Sequence, residues 1–338
     1  MTVKCEKYKF RSNPDAKENA VIEVKNLTKK YGEKLAVDHL SFEVNDGDVL
    51  GFLGPNGAGK STTMNMLTGY LSATEGSVVV EGISMQENPE EAKRKIGYLP
   101  EIPPLYTDLT VMEYLRFAMR LKKVKGIRDA ENYLTGICQR TGIEQVRGRL
   151  IRHLSKGYRQ RVGIAQTLVG DPKILILDEP TVGLDPSQIV EIRSLIRDLG
   201  KEHTIILSSH ILQEIQAICN RIIIIGEGKL LVDRKENELL EDDNGEKSEG
   251  RKEEQYYHVR IQGPAEKIAL GLSRLPGVSR VSFENHVSEN EYTFAVQAKE
   301  AGFREEAFDF CVRNGWKLLG LEGRERTLED IFLQVTQK

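Results

Sequence analysis

Cysteine is scarce in this sequence. Cys5, Cys138, Cys219 and Cys311 are scattered over 338 residues with no CxxC pair. That usage argues against a disulfide framework or a zinc site and fits reduced thiols. Long hydrophobic runs are missing too. Runs such as Ile222–Ile225 are strand-sized, far short of the roughly 20 apolar residues of a helical membrane span. The opening stretch MTVKCEKYKFRSNPDAKENA is charged throughout and has no apolar h-region, so it does not read as a signal peptide. No direct membrane insertion is expected. Neither sign of charge dominates: 48 Lys and Arg stand against 51 Asp and Glu. A nucleic-acid partner, which would call for a basic stripe, is not expected either.

What is present is patterned. At 39% hydrophobic the chain has enough apolar residues for a core, and its length suggests two domains. Residues 1–19 read as a flexible arm. From Ala20 the segments VIEV, LAVDHLSFEV and DVLGFLG read as strands, and the last runs into a Gly-rich turn and a helix near Lys60. The runs ILIL, TIIL and IIII are continuous rather than alternating, as in strands buried on both faces of a parallel sheet. A helical subdomain is predicted over about 105–150. Thr110 and Glu113 form a capping-box pattern at its first helix, with Val111, Leu115, Ala118 and Leu121 on one face. Further helices are expected over Arg159–Val169 and Gln188–Leu199. Residues 20–235 form the main domain. The charge-dense 236–254 stretch reads as a linker, and 255–338 read as an α+β domain of βαββαβ, ferredoxin-like order closed by a helix over Leu328–Val335.

Two motifs carry chemistry. Gly54-Pro55-Asn56-Gly57-Ala58-Gly59-Lys60-Ser61 fits G-x-x-x-x-G-K-[ST] between a strand and a helix. Glycines let successive N–H groups curl around one anion, and the helix N-terminus adds partial positive charge. In such a loop the lysine reaches the β- and γ-phosphates and the Ser61 hydroxyl serves Mg²⁺. The second motif is Ile174-Leu175-Ile176-Leu177-Asp178-Glu179, an apolar strand ending in two carboxylates. Asp178 would lie on the metal side of the loop, and Glu179 would polarise an attacking water. Together these motifs give an α/β P-loop NTPase.

A third motif narrows the family. Leu154-Ser155-Lys156-Gly157-Tyr158-Arg159-Gln160 resembles the signature of ABC ATPases. Gly183-Leu184-Asp185-Pro186 looks like the family's D-loop, Ser208-Ser209-His210 like its switch-histidine segment, and Tyr31 stands at its adenine-stacking position. The resemblance covers residues 20–235. It implies an ABC ATPase core with an antiparallel β subdomain and an inserted helical subdomain, binding ATP and Mg²⁺. Gly54 to Thr62, including Lys60 and Ser61, would bind the phosphates, and Tyr31 the base. Two cassettes would pair head to tail, with Ser155 and Gly157 of one capping the γ-phosphate held by the other. His210 would hold the water, with Glu179 and Lys60 as its catalytic companions, and Asp185 would cross the dimer. Ser61, Asp178 and Glu101 would serve the metal.

Glu101 stands where the family has glutamine, and Lys156 and Tyr158 where glycine and glutamine are commoner. Ionised Glu only accepts hydrogen bonds. Glu101, the altered signature and the C-terminal helix start at Thr327 resemble the type-2 ABC exporter branch. The expected function is the ATP-hydrolysing subunit of an exporter, working through a separate membrane permease on the cytoplasmic face. The alternative is a soluble ABC ATPase acting on ribosomes, nucleic acid or protein. The chain's single cassette and lack of a long heptad run stand against that alternative.

Overall fold

Two kinds of apolar pattern give two kinds of sheet. A computed structural model describes residues 20–235, 254–299 and 302–324. The arm at 1–19, nearly all of the linker and the helix expected over Leu328–Val335 lie outside the described residues. Contacts divide the chain into two compact units, whose described parts are 20–235 and 254–324.

The first unit opens with β1 (Ala20–Tyr31), β2 (Lys34–Asn45), β3 (Val49–Leu53) and α1 (Lys60–Leu67). Then come β4 (Glu75–Val80), β5 (Ile83–Ser84), α2 (Pro89–Arg94) and β6 (Ile96–Leu99). Two helices follow, α3 (Val111–Leu121) and α4 (Ala130–Arg140), then α5 (Lys156–Leu168). The unit continues through β7 (Ile174–Asp178), α6 (Pro186–Leu199), β8 (Thr204–Ser209), α7 (Leu212–Ile218), β9 (Arg221–Gly226) and β10 (Lys229–Lys235).

The half-buried early strands pair in the antiparallel order β2-β1-β4-β5. The continuous apolar runs form the sheet β10-β9-β3-β8-β7-β6, parallel except for the β9–β10 pair. All of β7 and β8 is buried, as parallel strands covered on both faces require. One apolar core joins the two sheets and α1 through Phe42, Phe52, Met64, Leu67, Ile176, Ile206 and Ile223. Each such side chain contributes about 1.5–3 kcal/mol by leaving water.

Register fixes what this core positions. Leu53 at the end of β3 pairs with Ser209 at the end of β8, and Ser208 pairs with Asp178 at the end of β7. Three carboxyl ends therefore stop at one edge of the sheet, where α/β folds place their ligands.

Among the helices, the capping box at α3 forms as predicted, with the Thr110 hydroxyl accepting from the Glu113 amide and the Glu113 carboxylate reaching back. Val111, Leu115 and Ala118 are buried, but Leu121 is 69% exposed because α3 ends there. The helix expected to start at Arg159 begins at Lys156 instead, because Ser155 itself caps it by accepting from the Tyr158 amide at 3.4 Å. At its other end the Lys122 ammonium donates to the carbonyls of Gln166, Thr167 and Val169. Burial pulls Lys122 down to about 8.

The second unit is β11 (Glu254–Gln262), α8 (Ala265–Leu272), β12 (Val278–Ser288), β13 (Glu291–Lys299), α9 (Phe303–Arg313) and β14 (Lys317–Arg324). Its sheet is antiparallel in the order β12-β13-β11-β14, the ferredoxin-like arrangement. Tyr257, Val259, Phe294 and Val296 pack with Ile268, Leu272, Phe303 and Cys311 of the helices. Trp316 is a packing residue, edge-on to Phe310 at 5.3 Å.

Candidate active site

The phosphate loop starts where β3 leaves the core. Gly59 takes φ 102°, and a β-carbon there would stand 2.6 Å from the Ala36 carbonyl, so no other residue fits without strain. Gly59 is also the N-cap of α1, and no side chain caps that end. The first-turn N–H groups at Lys60, Ser61 and Thr62 are thus left for an anion, and the helix dipole favours one. The Lys60 side chain is buried and curls back, donating to the carbonyls of Gly54 at 2.8 Å and Pro55 at 3.3 Å.

Asp178 and Glu179 reach this loop from β7. Ser61 Oγ lies 3.4 Å from Asp178 Oδ1, and the Ser208 hydroxyl donates to that same oxygen at 2.6 Å. A hydroxyl beside a carboxylate is the hard oxygen set that Mg²⁺ takes when phosphates and waters complete its shell, so the residues fit that ion. Glu179 is buried and adopts φ 48°, a left-handed conformation costing a non-glycine residue about 1 kcal/mol or more. Its carboxylate lies 2.9 Å from His210 Nδ1 and 3.6 Å from Lys60 Nζ. Burial raises the Glu179 pKa above the ordinary carboxylate value, while His210 and Lys60 act against that rise. A carboxylate shifted this way is a better proton acceptor at neutral pH.

The remaining predicted residues lie apart from this cluster. Ser155 is exposed at the N-cap of α5. Asp185 is exposed at the N-cap of α6, where the Ser187 hydroxyl and Gln188 amide hold its carboxyl below the usual range. Gly157 is buried, and a β-carbon there would meet the Gln188 side chain at 2.7 Å. A larger residue there would have to displace the end of that flexible side chain. Lys156 packs its ammonium against Gly183, and the Tyr158 hydroxyl accepts from Gln145. Tyr31 is 51% exposed at the end of β1, with the Lys29 ammonium 5.4 Å from its ring centre. Glu101 is exposed just beyond β6, and no hydrogen bond or ion pair joins it to Ser61 or Asp178 among the described residues. No group of three or more His, Cys, Asp or Glu residues able to hold a metal occurs among the described residues. His153 is exposed, and His203 is buried with Nδ1 2.9 Å from the Pro172 carbonyl oxygen.

Residues 37–182 match the ABC transporter family. The chain is 43% identical over 215 residues to the bacitracin transport ATP-binding protein BcrA of Bacillus licheniformis, covering 63% of this chain and 69% of that protein. This chain belongs to the ABC transporter ATP-binding proteins. An uncharacterized ABC transporter ATP-binding protein of Bacillus subtilis, YxlF, is 31% identical over 315 residues, spanning 93% of this chain and 99% of its own length. The Nod factor export ATP-binding protein I of Cupriavidus metallidurans is 34% identical over 229 residues, 67% of this chain and 75% of its own. Among solved structures, the dimeric post-hydrolysis state of the ATP-binding cassette MJ0796 bound to ADP and Pi is similar at a TM-score of 0.58 and 27% identity, covering 63% of this chain and 98% of that one. Like its family, the cassette is an ATPase that binds ATP.

Four residues around the cassette's strand ends escaped the sequence reading: Thr181, Ser208 and Ser209 as individual contributors, and Glu214. All four are buried polar side chains. The available signal was the pair of serines ending an otherwise apolar strand, and an acid set between Leu212 and Ile215 on the buried side of α7.

Proposed function

We propose that this cassette drives export through a separate membrane permease, with two cassettes closing on ATP and reopening on hydrolysis. The observation that carries the hydrolytic part is Glu179, buried beside the phosphate loop between His210 and Lys60. Lys60 and the first-turn amides of α1 hold the β- and γ-phosphates. Glu179 accepts a proton from the attacking water, and His210 orients that water and the γ-phosphate. Ser61 and Asp178 hold Mg²⁺, which supplies charge neutralisation for the phosphates. Ser155 and Gly157 of a second cassette close the site, Asp185 links the two sites, and Tyr31 stacks on the base.

Residues 20–235 and 255–338 act as separate domains in this reading, the second as an accessory. Export is supported by the relatives' roles in bacitracin transport and Nod factor export. A permease is supported by exposed apolar side chains just after Glu101 in the chain and on α3. Ile102 is 82% exposed, and the exposed rings of Tyr106 and Phe117 pack edge to face at 5.1 Å. No helix among the described residues is long and apolar enough to cross a membrane. These apolar side chains and Glu101 receive the permease's cytoplasmic segments, which places the cassette peripherally on the cytoplasmic face.

The test is the joint substitution Ile102→Glu and Phe117→Glu in the native host. The parent protein is expected to sediment with membranes and the variant to remain soluble, with basal ATPase activity unchanged. A parent protein found wholly in the soluble fraction would contradict the permease reading and favour a soluble ABC ATPase.

A further inference from the structure

One more carboxylate sits behind the strand-end cluster, and nothing in the proposed chemistry uses it. Glu214, in the first turn of α7, is 2% exposed. Its Oε2 accepts from the Thr181 hydroxyl at 2.6 Å and from the Ser209 hydroxyl at 2.9 Å. Its Oε1 lies 3.7 Å from Arg193 Nη2 on α6. Each partner belongs to a different functional segment. Thr181 stands two residues after Glu179, in the turn closed by the Val182 and Leu184 amides donating to Glu179 and Thr181. Ser209 immediately precedes His210, and its hydroxyl also accepts from the Ile211 amide. Arg193 rides on the helix that Asp185 caps.

We propose that Glu214 is a positioning residue that clamps the turn carrying Glu179 to the strand end carrying His210, and ties both to α6 through Arg193. This buried oxygen adds a second bridge, beyond the Asp178–Ser208 pairing and the Glu179 amide donating to the Ser208 hydroxyl, between the two chain segments. The geometry it protects is demanding. Glu179 holds a left-handed φ of 48°, which persists only where its surroundings over-determine it. The base and its histidine partner lie 2.9 Å apart, and a displacement of about 1 Å at such a site costs on the order of 100-fold in rate. Arg193 Nε is the one buried side-chain polar atom among the described residues with no hydrogen-bond partner. The Arg193 side chain is 25% exposed and has Glu214 as its ion-pair partner among the described residues, so a shift of α6 is felt at Glu214 and through it at Glu179 and His210.

The proposal rests on the reading of Glu179 as the base, and the experiment separates the two. Steady-state ATPase kinetics are measured on the full chain for Glu214→Ala, Glu214→Gln, Thr181→Val and Glu179→Gln, with melting temperatures alongside. Glu214→Ala is expected to lower kcat roughly 100-fold while KM for ATP moves less than about 3-fold, because the phosphate loop is untouched. Glu214→Gln keeps an oxygen that accepts from both hydroxyls and recovers most of that loss. Thr181→Val removes one arm of the clamp at constant volume, lowers kcat about 10-fold, and decides the matter should Glu214→Ala fail to fold. A lowered melting temperature with kcat intact in the Glu214 and Thr181 variants would overturn the proposal and leave Glu179 as base, provided Glu179→Gln is inactive. Full turnover by Glu179→Gln would remove the base reading and this inference with it.

Discussion

The phosphate-loop half and the signature half of this cassette are built in opposite ways. Lys60 is buried at the start of α1, and Asp178 and Glu179 are buried at the end of the fully buried β7; the three are bonded to one another or to Ser61, Ser208 and His210. Ser155, Asp185 and Tyr31 are exposed at helix or strand ends, and Ser155 and Asp185 use their side-chain oxygens to cap their own helices. The first half is a chemical site held ready by the core. The second is a surface, with a helix N-terminus turned outward. In the proposed dimer, the exposed half of one cassette would meet the buried half of another.

The buried half is broken most completely at Lys60. Lys60→Ala removes a buried charge that meets Glu179 at 3.6 Å and the cation that a bound γ-phosphate requires. ATP binding is expected to weaken at least about 100-fold by fluorescence titration, and normal affinity would sink the phosphate-loop reading. A subtler effect follows from burial of Glu179. Its folded-state pKa is raised, so the proton it holds stabilises the fold below the ordinary carboxylate pKa, and that stabilisation is lost as pH rises through the raised value. Glu179→Gln stays neutral throughout. Its melting temperature is expected to match the parent near about pH 4 and to exceed it progressively toward about pH 8. No comparable pH trend is expected for Ser155→Ala, because Ser155 does not titrate. Parallel curves for parent and Glu179→Gln would show that the buried half carries no such strain.

The same contrast marks what could be read in the sequence. The continuous runs ILIL and TIIL, the Gly-rich turn before Lys60 and the Thr110 capping box are local, and each formed as its pattern demands. The βαββαβ order was likewise legible because each element follows the last along the chain. What escaped is contact across sequence. Glu214 meets Thr181 from 33 residues away, and Ser208 meets Asp178 from 30 away; no spacing rule links them. The closeness of Gly157 to Gln188, on another helix, is likewise set across the sequence. α5 begins at Lys156 rather than at the expected Arg159 because the Ser155 hydroxyl caps it, a contact that apolar spacing does not signal.

The central claim, that the exposed half of one cassette completes the buried half of another, is tested most directly by the solution mass of Glu179→Gln with saturating ATP and Mg²⁺. Light scattering should show a nucleotide-dependent dimer, and adding Ser155→Arg to the same chain should return it to monomer without weakening ATP binding by more than about 3-fold. A Glu179→Gln chain that binds ATP and stays monomeric, or a Ser155→Arg chain that still dimerises, would contradict it.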